Sequence, residues 1–452
     1  MERNRVDEFV KNPKRALFIL AAPVLVAMFV QTMYNIVDTA FVGRLGAEAI
    51  AALTFTFPLF FFLVSVNSGL GIGMGSRISR LLGAKKKEEA ENTAVHGLVI
   101  SLFLAVLVLF TGIMAQDAIF SLFGASGKVL TLAKDYMSII LFGVLIMFPL
   151  YVMNSMFSAQ GDTKTPMKIQ ITGLMLNIIL DPIFIYTLGY GVKGAAIATD
   201  IALAVPLLMS VYFLKKKSYL RIRISSFKYS SKITKEIFSV GAPASLMMLI
   251  VSIYVIFLNK LMSHFGTDYI AAFGMASRLE SLVTLPIVAF SMSTVTLVGM
   301  FYGARRYDLV RKMTWYSMRI CVIIALVMGS VFFAIPSLFF RIFTNEVNLL
   351  AIASAYMRIN VFTLPFMPVN MIASRVTQGL GFGLPGFVIH FVRIFIVAVP
   401  LAYFFVFVSG YGFLSIAVAM IVGAVTSSIV SLVWLSLKLK KIERDGKEFL
   451  KN

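Results

Sequence analysis

Twelve apolar runs follow one another along this chain, each close to or above the ~20 residues a helix needs to cross ~30 Å of hydrocarbon. They lie near 16–42, 50–76, 92–116, 130–157, 166–187, 194–214, 233–263, 270–300, 313–336, 349–374, 386–408 and 412–437. Lipid offers the backbone no hydrogen-bond partner, so runs of this length must close their own bonds as helices. The expected fold class is therefore an all-α polytopic membrane protein with twelve transmembrane helices. A composition that is 59% hydrophobic and only 14% charged excludes a soluble domain. The first run is too long for the apolar core of a cleavable signal, and reads as an uncleaved first span.

A net charge of +20 would point to nucleic acid in a soluble protein. Here the Lys and Arg sit in short loops. With twelve spans, thirty-one of them fall on one side and only Arg44, Lys128, Lys193 and Arg341 on the other. This bias places both termini in the cytoplasm; the expected location is the plasma (inner) membrane, and since the basic residues form no soluble module, no nucleic-acid partner is expected. The single cysteine, Cys321, lies in an apolar run, which rules out a disulfide within the chain and argues against a cysteine metal site.

The chain repeats itself. At an ungapped shift of 220, Ala22-Pro23 falls on Ala242-Pro243, Tyr34 on Tyr254, Gly46 on Gly266, and Gly83-Ala84 on Gly303-Ala304. The pairs Lys85-Lys86 and Arg305-Arg306 coincide as well. Near a shift of 218, Gln160-Gly161 meets Gln378-Gly379; near 221, Gly189-Tyr190-Gly191 meets Gly410-Tyr411-Gly412. The expected organisation is two pseudo-symmetric six-helix lobes, 1–214 and 236–452, joined by a basic cytoplasmic linker at 215–235 with room for a surface helix. Six spans per lobe make the repeats parallel, an arrangement transporters use with substrate bound where the repeats meet.

Against this apolar background the polar residues stand out. Gln31, Tyr34, Asn35 and Asp38 form one stripe on the first span. Asn177 and Asp181 share a face of the fifth span, and Pro182 follows directly, removing a helical donor and bending the helix there. A carboxylate within a span faces a cavity or a partner, and neither Asp38 nor Asp181 has a basic residue in its own span. The repeat puts Leu258 at the place of Asp38 and Ala402 near that of Asp181, so these acids are not demanded by the shared fold. Thr199 and Asp200 in the sixth span and Asn154 in the fourth add oxygen donors. Arg278 and Glu280 in the eighth span are secondary candidates, with an ion pair and a functional role equally open for Glu280. His96, His264 and His390 lack metal-ligand spacing, and no nucleotide-binding loop or hydrolase arrangement is present, so neither an ATP-driven pump nor an enzyme is expected.

The stretches YNIVDTAFVGRLG (34–46), AQGDTKTP (159–166), LNIILDPIF (176–184) and GVKGAAIAT (191–199) resemble multidrug and toxic compound extrusion (MATE) transporters, and most closely their DinF-like branch. The resemblance implies a monomeric antiporter that exports amphipathic organic cations by alternating access, driven by H⁺ or else Na⁺, with no other cofactor and with membrane lipid as surroundings. It implies a cation site at Asp38, Asn177, Asp181 and Thr199, where Na⁺ is the possible metal, and a cavity lined by Tyr34, Asn154, Gln31 and Asn35. The NorM-like branch relies on acids in spans seven and ten; this chain has Lys260 and Arg358 there. The alternative is a lipid or lipid-linked precursor flippase of the same superfamily.

Overall fold

A computed structural model describes residues 4–222 and 227–449; the side chains of Asn35 and of 445–449 lie outside that description. Among the described residues all regular structure is helical. The first half holds α1 (Val6–Lys11), α2 (Pro13–Gly43), α3 (Ala47–Gly83), α4 (Lys87–Leu122), α5 (Gly127–Ala159), α6 (Lys164–Pro182) and α7 (Gly191–Lys216). The second holds α8 (Ser231–Ser263), α9 (Thr267–Gly303), α10 (Tyr307–Ala334), α11 (Pro336–Phe340), α12 (Val347–Asn360), α13 (Phe366–Gly379), α14 (Leu384–Phe391), α15 (Val399–Tyr403) and α16 (Leu414–Phe449).

Among the described residues, eleven helical stretches are long and apolar enough to cross a membrane. The tenth apolar run is not one straight helix. It is the pair Val347–Thr363 and Phe366–Gly379, bent by 43° at Leu364-Pro365, and it completes twelve spans if counted as one. Pro365 has no N–H to give, so the ladder breaks where it stands.

The repeat is visible residue by residue. α3 and α9 start and stop 220 residues apart, each entered through a glycine of positive φ, Gly46 at 109° and Gly266 at 123°. Both leave through a basic residue in the left-handed region, Lys85 at 60° and Arg305 at 58°. Gly161 (φ 84°) corresponds to Gly381 (φ 95°). The register there is again 220, and the Gln160-Gly161 match to Gln378-Gly379 is two residues out, because those two are still helical or just closing α13.

By contacts the chain forms two compact units, Met1–Asp7 with Ala22–Ser245, and Glu8–Ala21 with Leu246–Asn452. The dividing lines fall inside α2 and α8 rather than in the 215–235 stretch. Within the second unit Phe18 stands edge-on to Phe290 at 5.4 Å and the Lys14 ammonium lies over the ring of Tyr316. The first unit is built around α5, which packs against α3, α4 and α7 over Leu63, Phe120, Met137, Leu141 and Phe148. The second is built around α9, packed by α10, α12 and α13.

The described part of the linker is not a surface helix. Residues 217–222 and 227–230 run without helix and are fastened to the first unit. Gln160 Oε1 accepts from Ser218 Oγ and from the N–H groups of Tyr219 and Leu220 at 2.9–3.2 Å. Asn92 exchanges hydrogen bonds with the backbone of Lys228, and His96 Nε2 accepts from the N–H of Ser230 at 2.9 Å. Backbone donors that a helix would satisfy internally are thus met by side chains of α4 and by Gln160, directly after α5.

Candidate functional site

Three helices of the first unit bring the predicted residues together. α2 carries Tyr34 and Asp38, α6 carries Asn177 and Asp181, and α7 carries Thr199. Asn177 Nδ2 donates to Asp181 Oδ1 at 3.1 Å and reaches Thr199 Oγ1 at 3.5 Å, while Thr199 donates back to the Ala195 carbonyl. Asp181 is fully buried and Asn177 nearly so. The carboxyl groups of Asp38 and Asp181 meet within hydrogen-bonding reach, and the Tyr34 hydroxyl comes up to Thr199.

This arrangement leaves oxygen valences open. Asp181 Oδ2 and Asn177 Oδ1 are buried and have no hydrogen-bond partner. Two ionised carboxylates are acceptors only and cannot bond to each other. Among the described residues no Lys or Arg forms an ion pair with either acid. With both carboxyls ionised, the oxygens of Asp38, Asp181, Asn177 and Thr199 form an acceptor set that suits positive charge: a proton between the carboxyls or a hard cation. The donor set fits both.

Pro182 closes α6 directly after Asp181, and the chain continues as a π-helical turn, Ile183–Thr187, that ends with Leu188 N–H on the Ile183 carbonyl at 2.8 Å. The π turn thus begins at the residue after the proline, which has no N–H to give the helical ladder, and such turns recur at functional sites.

The remaining candidates are distributed more widely. Gln31 accepts from Gln170 Nε2 at 3.0 Å, tying α2 to α6. Asn154 is not bonded to the acids; its Oδ1 is buried without a partner, and Ser158 donates to its carbonyl. The side chain of Asn35 lies outside the described residues. Asp200 follows Thr199 but turns to α5, where its carboxyl sits in the notch of Gly143; a Cβ there would lie 1.9 Å from Asp200 Oδ1. Arg278 is exposed, its guanidinium over the ring of Phe343 at 5.7 Å, whereas Glu280 on the same helix accepts a hydrogen bond from Asn360.

One residue of this site escaped the sequence reading. Tyr136 on α5 stands within electrostatic reach of Asp38, Asp181 and Asp200 together. The signal was present: Tyr34 and Tyr136 both have a tyrosine 220 residues further on, at Tyr254 and Tyr356.

The MatE family model matches this chain twice, over residues 23–183 and 243–404. The multidrug export protein MepA of Staphylococcus aureus (strain NCTC 8325 / PS 47) is 26% identical over 386 residues, covering 85% of each chain. MepA of Staphylococcus saprophyticus is 27% identical over 82% of each. Among solved structures, a MOP superfamily transporter from Pyrococcus furiosus is 32% identical, with a TM-score of 0.92 over 98% of this chain and 99% of that one. A MATE crystal structure in the bent conformation superposes with a TM-score of 0.94 at 32% identity, over 99% of this chain and 100% of that one.

Proposed function

Because this chain belongs to the MatE family of membrane transporters, we propose that it exports amphipathic organic cations in exchange for protons, with Na⁺ as the alternative coupling ion. It is a multi-pass transporter and not an enzyme. The observation that carries the exchange reading is the meeting of Asp38 and Asp181 in an apolar bundle, with Asn177 and Thr199 beside them and buried oxygens left open.

In this reading the coupling ion enters between Asp38 and Asp181 and closes the contact between α2 and α6. Its departure leaves two like charges facing each other and pushes the helices apart. The π-helical turn after Pro182 gives α6 a place to yield. Drug and ion then occupy the transporter alternately, with the site open to one side of the membrane at a time. The membrane potential supplies ~2.3 kcal/mol per 100 mV for each net charge moved, so it drives the exchange only where more protons enter than cationic charges leave; a one-for-one exchange runs on the ion gradient alone. The Lys and Arg asymmetry supports termini on the cytoplasmic side of the plasma membrane, and the working unit in this reading is the monomer.

The test is efflux of a fluorescent cationic dye from reconstituted vesicles under an imposed H⁺ or Na⁺ gradient. Wild type should respond to one gradient. Asp38→Asn and Asp181→Asn should each abolish the response with unchanged expression. Full gradient-driven efflux in both variants overturns the reading.

A further inference from the structure

The second unit carries its own carboxylate centre, built around the same pair of tyrosines. Tyr34 and Tyr136 in the first unit recur at a shift of 220 as Tyr254 and Tyr356. In the first unit the pair stands by Asp38 and Asp181. In the second unit the positions of those acids are apolar, but the tyrosines again face a carboxyl group, that of Glu280 on α9. Glu280 stands where the first unit has Phe60. Its donor, Asn360 Nδ2 at the end of α12, stands where the first unit has Ile140. Two substitutions at unrelated places in the sequence thus converge on one point in space.

A third difference joins them. Between α14 and α15 the helix widens into a π-helical segment, Val392–Ala398, with no counterpart in the first unit. α6 and α14 begin 220 residues apart, yet the π turns Ile183–Thr187 and Phe404–Val408 lie 221 apart. The inserted residue is taken up in Val392–Ala398, as π-bulges arise. Arg393 lies in this segment, and its charge reaches both Glu280 and Tyr254 without an ion pair among the described residues.

We propose that Glu280, with Tyr254, Asn360 and Arg393, is a second proton-binding site, so that the transporter carries one coupling centre in each unit. The proposal rests on the antiport reading above. A proton fits better than a metal ion or an organic ammonium: either of those would lie as a separate like charge near Arg393 and find a single carboxylate, whereas a proton needs only one carboxyl oxygen of Glu280. A proton added to Glu280 neutralises it in place. The carboxyl oxygen that accepts from Asn360 keeps that bond; the proton resides on the other oxygen. The Tyr254 hydroxyl is buried, in a side chain only 8% exposed, and has no partner. By rotating it can donate to the carboxylate or accept from the acid, so it serves both states. The titratable groups facing Glu280 are Tyr254 from α8, Tyr356 from α12 and Arg393 from the π-helical segment. Arg278, on the same helix, is turned away to Phe343.

The test uses the full purified chain. Infrared difference spectra between acid and alkaline pH report each carboxyl group that gains a proton through its C=O stretch. One titrating band should vanish in Glu280→Gln, persist in the Asp38→Asn/Asp181→Asn double variant, and shift in Tyr254→Phe, which keeps the ring and removes only the hydroxyl. In vesicles, the proton-to-dye stoichiometry of Glu280→Gln should fall by one. Identical carboxyl bands in wild type and Glu280→Gln, or an unchanged stoichiometry, overturn the proposal. If Glu280→Gln does not fold, Tyr254→Phe decides: an unshifted spectrum overturns it. Failure of the antiport reading is separate, since it is read from efflux in the Asp38 and Asp181 variants and leaves the Glu280 band in place.

Discussion

Thr199 and Asp200 are adjacent in the chain and ~100° apart around α7, and that turn sends them to different neighbours. Thr199 joins Asn177 and Tyr34; Asp200 enters the Gly143 notch of α5 with its Oδ1 buried and unpartnered. Both face the same general region, since Tyr136 feels Asp200 as well as the Asp38–Asp181 pair. The notch is the reason position 143 has no side chain. Gly143→Ala should destabilise the protein by about 1–3 kcal/mol, the usual range for overpacking a filled site. Asp200→Ala should relieve most of that penalty. A double-mutant cycle on thermal unfolding in detergent should show coupling well above ~0.5 kcal/mol, the scatter of independent sites; strict additivity would place Asp200 elsewhere.

At the scale of the helices, departures from regular α geometry mark the chemistry. α6 turns into a π segment just past Asp181-Pro182, the span carrying α12 and α13 breaks at Pro365 soon after Asn360, and the Arg393 segment is π-helical throughout. Each departure costs backbone hydrogen bonding that a purely structural span would keep. Replacing Pro182 by Ala returns the missing N–H and lets α6 continue regularly. Pro182→Ala should therefore have a thermal midpoint no lower than wild type, with gradient-driven dye efflux clearly reduced. A variant that transports at the wild-type rate would show that the turn serves packing alone.

For the whole molecule, the covalent join between the halves is held more firmly than its composition suggests. The side chain of Gln160 gathers three donors from Ser218 to Leu220, and Arg77 pairs with Glu236 while donating to Thr93 at 3.1 Å, tying α3, α4 and α8 at the base of the first unit. A linker rich in Lys and Arg is a ready substrate for trypsin once it lifts away. Gln160→Ala should accelerate tryptic cleavage after Lys217 and Arg221 by several-fold, read on a gel as two half-length fragments. Equal cleavage rates in the variant and wild type would mean that the Asn92 and His96 contacts alone retain the segment.

Much of this protein is written in one dimension. Spanning length, the 220-residue repeat and the Lys/Arg asymmetry depend on local composition and order, so they can be read without coordinates, and the four-residue spacing of Asn177 and Asp181 needs only the pitch of a helix. The acids were visible for the same reason: a carboxylate in an apolar run is conspicuous wherever it lies. What no such reading contains is which faces meet. That Asp38 touches Asp181, that Asp200 turns to Gly143, that Asn154 has no bond to the acids, and that Glu280, Asn360 and Arg393 gather around Tyr254 and Tyr356 are matters of helix rotation and packing between segments far apart in the chain. The break at Pro365 and the π segment that re-aims Arg393 belong to the same class. A proline permits a kink, but the packed neighbours decide how the freed backbone is used, and a one-residue insertion alters the aim of a side chain only once its helix is held on both sides.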